Sequence, residues 1–256
     1  MTKQEQQFIE LLDKWELDIF SIESLKEEHG VDWKDWEGAL RLLVKAGYLR
    51  QIERGKYCRQ NYQDSMTIGR FLAPEGAVAY WSALHLHGLT ERFPNKVFVQ
   101  TDKLKKDKRV FGVEYQFVKV LPRKLTGFEM QGFGNHQYRI TDREKTIVDC
   151  FDLPQYSGGL PELMQAVAEG GFEQEKFIAY CEAVNNIAAT KRLAFLVELL
   201  GLEGMEGFLT YAKGVVRNKY NLFDPAGREV GEFNATWKLR LNIPKADMLE
   251  IAGKIY

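Results

Sequence analysis

The stretch Asp32–Arg59, DWKDWEGALRLLVKAGYLRQIERGKYCR, decides how this chain is read. Trp33, Trp36, Leu40, Leu43 and Val44 recur at helical spacing, which predicts a helix of about four turns with one buried face. The roughly opposite face carries Lys34, Gly38, Arg41 and Lys45, a cationic stripe with one residue that has no side chain. Gly47 can take the positive φ that closes a helix. Beyond it, Tyr48–Ile52 and Lys56–Cys58 flank Glu53-Arg54-Gly55, the pattern of a hairpin turning on a glycine. A basic helix face leading into a two-stranded wing with Arg50, Arg54, Lys56 and Arg59 is how winged helix-turn-helix domains meet DNA. The competing expectation is a winged-helix module that serves protein contacts and never touches DNA.

The preceding residues supply the rest of such a module. Phe8, Ile9, Leu11, Leu12 and Trp15 give residues 3–15 an apolar helical face. Ser21 can cap a second helix that ends at His29-Gly30, and Asp32 is the expected cap of the third. These parts predict a winged helix-turn-helix domain over residues 1–62, with Gln60–Ser65 as a polar linker.

Residues 66–256 read as a separate α+β domain with enough apolar periodicity to fold alone. Pro74 suits the first turn of a helix that runs through Ala77–Leu84 to Gly88. Val97–Gln100, Val113–Val118, Phe128–Gln131 and Gln137–Ile140 are short β-rich runs, which predict a small, mostly antiparallel sheet of three to five strands. Thr141-Asp142-Arg143-Glu144 has the spacing of a capping box. Helical patterns follow at Leu160–Ala168, Glu173–Asn185, Thr190–Leu200 and around Phe208-Leu209-Tyr211, so residues 142–213 form a helical layer on the sheet. Thr236–Leu241 could add an edge strand before Pro244.

Composition excludes several classes. The chain has 256 residues, 45% hydrophobic and 28% charged, as in an ordinary soluble protein. No stretch approaches the roughly 18 apolar residues that span a bilayer. Three widely spaced cysteines, Cys58, Cys150 and Cys181, fit reduced thiols in a cytoplasmic protein, and no pair has zinc-ligand spacing. Net charge is −1, and residues 1–60 hold ten Lys/Arg against twelve Asp/Glu, so DNA binding has to come from local charge distribution. Residues 92–125 carry ten bases to three acids. Their centre, Lys103, Lys105, Lys106, Lys108 and Arg109, reads either as a solvated hairpin tip or as a docking surface for nucleic acid or an acidic protein.

Three further stretches carry a family resemblance. Gly47-Tyr48-Leu49 with Arg54-Gly55-Lys56-Tyr57, then Ala79–Leu89 (AYWSALHLHGL), then Ile140–Cys150 (ITDREKTIVDC) followed by Gly158-Gly159, resemble in this order the AbiEi family of bacterial antitoxins. The resemblance runs over roughly residues 1–200. It implies a component of a type IV toxin-antitoxin system from an abortive-infection locus. Its N-terminal winged helix would repress its own operon through promoter repeats, and its C-terminal domain would counteract a nucleotidyltransferase toxin. The family supplies no catalytic residues to carry over, and no cofactor, metal, membrane or small-molecule substrate is expected.

An enzyme is the rival class. Glu114-Tyr115-Gln116 with Lys119, and Asp102 before them, faintly match the strand acids of metal-dependent nucleases, and alternation puts Glu114 and Gln116 on one face. No second strand acid has a clear place beside them. His85 and His87, two apart on a helix, diverge rather than chelate. The chain lacks a phosphate-cradling glycine loop and a G-x-S-x-G elbow, and Asp149-Cys150 reads as packing.

Overall fold

Apolar residues at helical period set the first element. Phe8 and Leu12 are buried on α1 (Lys3–Lys14), which Thr2 and Glu5 close with a reciprocal capping box. The structure, a computed structural model, describes residues 1–32 and 36–253. A three-residue strand, β1 (Ile19–Ser21), precedes α2 (Ile22–His29), which Ser21 caps and a left-handed Gly30 ends. The third helix, α3 (Glu37–Lys45), is shorter than expected. Asp32 does not cap it. Trp36 stands at the cap position without a side-chain hydrogen bond, its ring 5.4 Å from that of Phe8, so packing rather than a polar cap fixes the helix entry. Trp33, Lys34 and Asp35 lie outside the described residues.

The hairpin forms as expected from β2 (Leu49–Glu53) and β3 (Lys56–Arg59). β1 pairs antiparallel with β3, Ile19 opposite Cys58, in a sheet of order β1-β3-β2. Gln60–Ser65 is not a free linker. Tyr62 is buried, and Asp64 caps α4 (Ser65–Leu72), accepting from the backbone N–H of Met66 and Thr67. Ile68 and Leu72 of α4 join Ile19, Ile52 and Cys58 on one side and Val97, Val99, Tyr115 and Phe117 on the other in a single apolar cluster. The N-terminal elements and the body therefore share a core.

The expected helix over 74–88 divides into β4 (Ala77–Val78) and α5 (Tyr80–Leu86). Two residues suffice for β4 because Val78 pairs with both Val99 and Ile140 in the middle of a sheet. That sheet adds β5 (Val97–Thr101), β6 (Lys108–Val110), β7 (Val113–Lys119), β8 (Phe128–Gln131) and β9 (Tyr138–Thr141), in the order β6-β7-β5-β4-β9-β8. Its β6/β7, β4/β5 and β8/β9 pairings are antiparallel, while β5/β7 and β4/β9 are parallel. The sheet exceeds the expected size because β4 and β6 are too short to show alternation.

A helical layer covers it: α6 (Arg143–Asp152), α7 (Leu160–Ala168), α8 (Gln174–Val184), α9 (Ile187–Leu200) and α10 (Glu206–Val215). Asp142 caps α6 in place of the expected Thr141–Glu144 box. Thr141 ends β9, and Glu144 accepts instead from the backbone N–H of Glu173. The tail does not extend the large sheet. β10 (Asn221–Leu222), β11 (Glu232–Asn234) and β12 (Leu239–Leu241) make a separate sheet of order β10-β12-β11, held on α9 by the buried Trp237, whose indole N–H donates to Glu198 at 2.6 Å. Finally α11 (Lys245–Gly253) packs against α7. The architecture is a mixed α+β fold.

Candidate nucleic-acid interface

The outer side of α3 is set by what its inner side buries. Ala39, Leu40 and Leu43 face a core of Phe8, Leu12, Phe20, Leu25, Leu49 and Tyr57, which turns Gly38, Arg41 and Lys45 outward. A Cβ built on Gly38 meets no described atom within 4 Å, and Gly38, Arg41 and Lys45 are all exposed. Arg41 pairs with Glu37 at 3.1 Å, both largely exposed, and no acid of α1 or α2 pairs with Arg41 or Lys45 among the described residues. An exposed pair of this kind exchanges readily with solvent and leaves the guanidinium available. Leu42 and Tyr48, both about half exposed, flank these cations. Neither was singled out from sequence as a surface residue: Leu42 reads as core, and Tyr48 as part of the hairpin. Lys34 lies outside the described residues.

Arg54 stands exposed at the hairpin tip beside Gly55, whose φ of +79° makes the turn. A groove lined by Ile22, Glu37, Arg54, Gly55 and Tyr57 lies between that tip and the start of α3. Here Glu37 opposes the positive field, an acid that no cation count along the chain would place at this point.

The other cations of the hairpin are not free. The Arg50 guanidinium donates to the Tyr62 carbonyl and lies 3.7 Å from the centre of the Phe111 ring. Lys56 donates to the Phe71 carbonyl and pairs with Glu53 at 2.8 Å. Arg59 pairs with Asp13 of α1. All three are half-buried. Their expected role as phosphate contacts gives way to a structural one, because Arg50 and Lys56 lie on the hairpin face packed on the body and Arg59 lies on the opposite face, against α1.

The lysine-rich loop between β5 and β6 meets the same seam. Lys105 donates to the Leu72 carbonyl and stands 3.8 Å from Glu53, and Lys108 reaches Glu53 at 3.0 Å. Desolvation raises the Glu53 pKa, but hydrogen bonds from Lys56 and Lys108 and the charges of Lys56 and Lys105 outweigh it and hold the carboxyl below its ordinary value. Burial lowers the Lys105 pKa, with Glu53 opposing that shift. Lys105 and Lys108 thus dock on this chain's own hairpin. Lys103 lies 3.9 Å from Glu75, Arg109 pairs with Glu114, and Lys106 is exposed. A second tie, His136 to Asp18 at 3.0 Å, anchors β1 to the far end of the large sheet.

Of the candidate nuclease residues, Glu114 and Gln116 line one groove with Asp107 and Lys96. Glu114 is engaged by Arg109, and among the described residues no group of three or more His, Cys, Asp or Glu is placed to hold a metal. His87 contacts the Thr141 carbonyl at 2.7 Å, whereas His85 packs near Phe93.

Of the stretches quoted for the family resemblance, Ala79–Leu89 and Ile140–Cys150 with Gly158-Gly159 meet. Trp81 lies against Gly158, where a Cβ would come within 2.7 Å of the indole, and His87 reaches Thr141. Gln100 donates to the Tyr80 hydroxyl at 3.1 Å and to Asp149 at 3.0 Å, and Asp149 pairs with Lys145 in full burial. No protein-family profile matches the chain, and no curated protein aligns with it significantly. Its fold is that of a solved structure, the Rv2827c protein of Mycobacterium tuberculosis. The two share 15% identity, a TM-score of 0.67, and coverage of 99% of this chain and 96% of that one. The likeness therefore spans the N-terminal elements, the sheet and the helical layer together. No helix among the described residues is long and apolar enough to cross a membrane.

Proposed function

We propose that this protein is an AbiEi-type antitoxin that binds promoter DNA of its own operon through a winged helix-turn-helix formed by α1–α3 and the β2–β3 hairpin. The observation that carries this reading is the outer side of α3, where Gly38, Arg41 and Lys45 stand open beside the Arg54 wing tip. On this reading α3 enters the major groove, Gly38 admits close approach of the backbone, and Arg54 holds a phosphate. Few free cations and a near-neutral chain imply modest, salt-sensitive binding that gains from several copies on adjacent repeats.

The test is a gel-shift series on the region upstream of the gene. The full chain should retard that DNA at low salt, and Arg41→Ala with Lys45→Ala should weaken binding about tenfold or more. Absence of any shift at low salt would overturn the DNA half. The other half, relief of a nucleotidyltransferase toxin by the body, is best tested in the full chain. A fragment starting at Ser65 keeps the large sheet but uncovers Ile68, Leu72, Val97 and Val99. Co-expression should restore growth to cells carrying the cognate toxin, including with the Arg41/Lys45 double variant. Persistent toxicity with soluble wild-type protein would refute this half.

A further inference from the structure

The helical layer carries a second cationic feature, separate from α3. A cleft of about 470 Å³ opens where the turn after β7 meets the start of α9 and the chain entering β10. Arg123, Lys124, Lys191, Arg217 and Lys219 line it against one acid, Asp152, which Lys124 already engages. Lys191 is 1% exposed. Its ammonium donates to the carbonyls of Lys219 at 2.9 Å and Lys238 at 3.0 Å and to the Asn221 side-chain oxygen at 2.7 Å. All three acceptors are neutral, and among the described residues no carboxylate lies within ion-pair distance. Burial, then the like charges of Arg192 and Lys219, lower its pKa to about 8, as befits an ammonium without a counter-ion. Those three acceptors take all three ammonium N–H groups, so Lys191 gives the wall of the cleft a positive charge rather than a free donor, and that buried charge awaits an anion.

The remaining cations point to what that is. Arg123 is oriented by the α8 carbonyls of Ala183 at 2.7 Å and Val184 at 3.1 Å. Arg217 and Lys219 are exposed and have no acid partner among the described residues. Five cations against one carboxylate leave an excess that a single phosphate, carrying about two negative charges, does not neutralise. A second groove of about 290 Å³ shares Asn185, Asn186, Ile187 and Arg217 with the cleft and is walled by Tyr211, Val215 and Val216.

We propose that this cleft binds an oligophosphate group, carried by a nucleoside triphosphate or present as free tripolyphosphate. The site is independent of the DNA reading, since none of its residues lies in the N-terminal elements. Equilibrium dialysis of the full chain against tripolyphosphate, ATP and orthophosphate tests it. Tripolyphosphate and ATP should bind, with orthophosphate at least about tenfold weaker. Arg217→Ala combined with Lys219→Ala should weaken both by about tenfold or more with an unchanged melting curve, because both residues are exposed. ATP binding more tightly than tripolyphosphate, with the difference lost in Tyr211→Ala, would assign the second groove to a nucleoside; equal affinity would assign the cleft to free oligophosphate. No binding of either at about 1 mM, affinity unchanged in the double variant, or orthophosphate binding as tightly as tripolyphosphate would overturn the proposal.

Discussion

Arg41 and Lys45 on α3 and the cations of the seam, Arg50, Lys56, Lys105 and Lys108, are the same residue types in adjoining parts of the molecule, yet they meet opposite fates. The first pair stands in solvent, and among the described residues Glu37 is the acid that pairs with Arg41. The second group is half-buried around Glu53 and the carbonyls of Tyr62, Phe71 and Leu72. The hairpin explains the difference. Tyr57 points into the helical core of the N-terminal elements, while its neighbour Cys58 points into the cluster shared with the body. Positive charge alone therefore does not mark a nucleic-acid surface. What matters is which face of the strand the next layer covers.

The largest expected effect lies deepest, at the far end of this scale of burial. Lys145→Ala leaves Asp149 buried and unpaired beside Gln100, and should cost about 3–5 kcal/mol of stability in denaturant melts. Glu53→Ala comes next. It leaves Lys56, Lys105 and Lys108 facing one another without their shared carboxylate and should cost about 1–2 kcal/mol, with increased proteolysis of the hairpin. The same contact has a pH signature. Because the folded Glu53 pKa lies below its ordinary 4.5, its stabilisation is present above that value and is lost as pH falls through the lower folded value. The wild type should therefore lose its stability margin over the Glu53→Ala variant on acidification below about pH 4.5. Arg50→Ala removes the stack on Phe111 and the bond to Tyr62 and should cost about 1 kcal/mol. Smallest of all, Arg41→Ala should leave the melting curve unchanged while weakening DNA retardation. A stability loss at Arg41, or none at Glu53, would erase the contrast between the two regions.

Much of the framework was legible. The hairpin at 49–59 announced itself through alternation around Arg54-Gly55, α1 and α6–α10 through apolar spacing, and α2 through its Ser21 cap. The elements that escaped were short or shifted. β1 and β4 have three and two residues, too few to show a period, and exist because neighbouring strands supply their hydrogen bonds. α4 was hidden because Asp64 and Ser65 look like linker polarity, although Asp64 is its cap. Of the site, the outward face of α3 was readable, since a helix that buries Leu40 and Leu43 must expose Gly38, Arg41 and Lys45.

Sequence by itself determined which residues sit on which side of each helix and strand, because periods of 3.6 and 2 are properties of the local backbone. Only the tertiary structure decided which of those sides would be covered. Whether a lysine holds a phosphate or a carbonyl of its own chain depends on what packs opposite it, and Glu53 lies about fifty residues from the loop whose lysines it gathers. No local pattern carries that information.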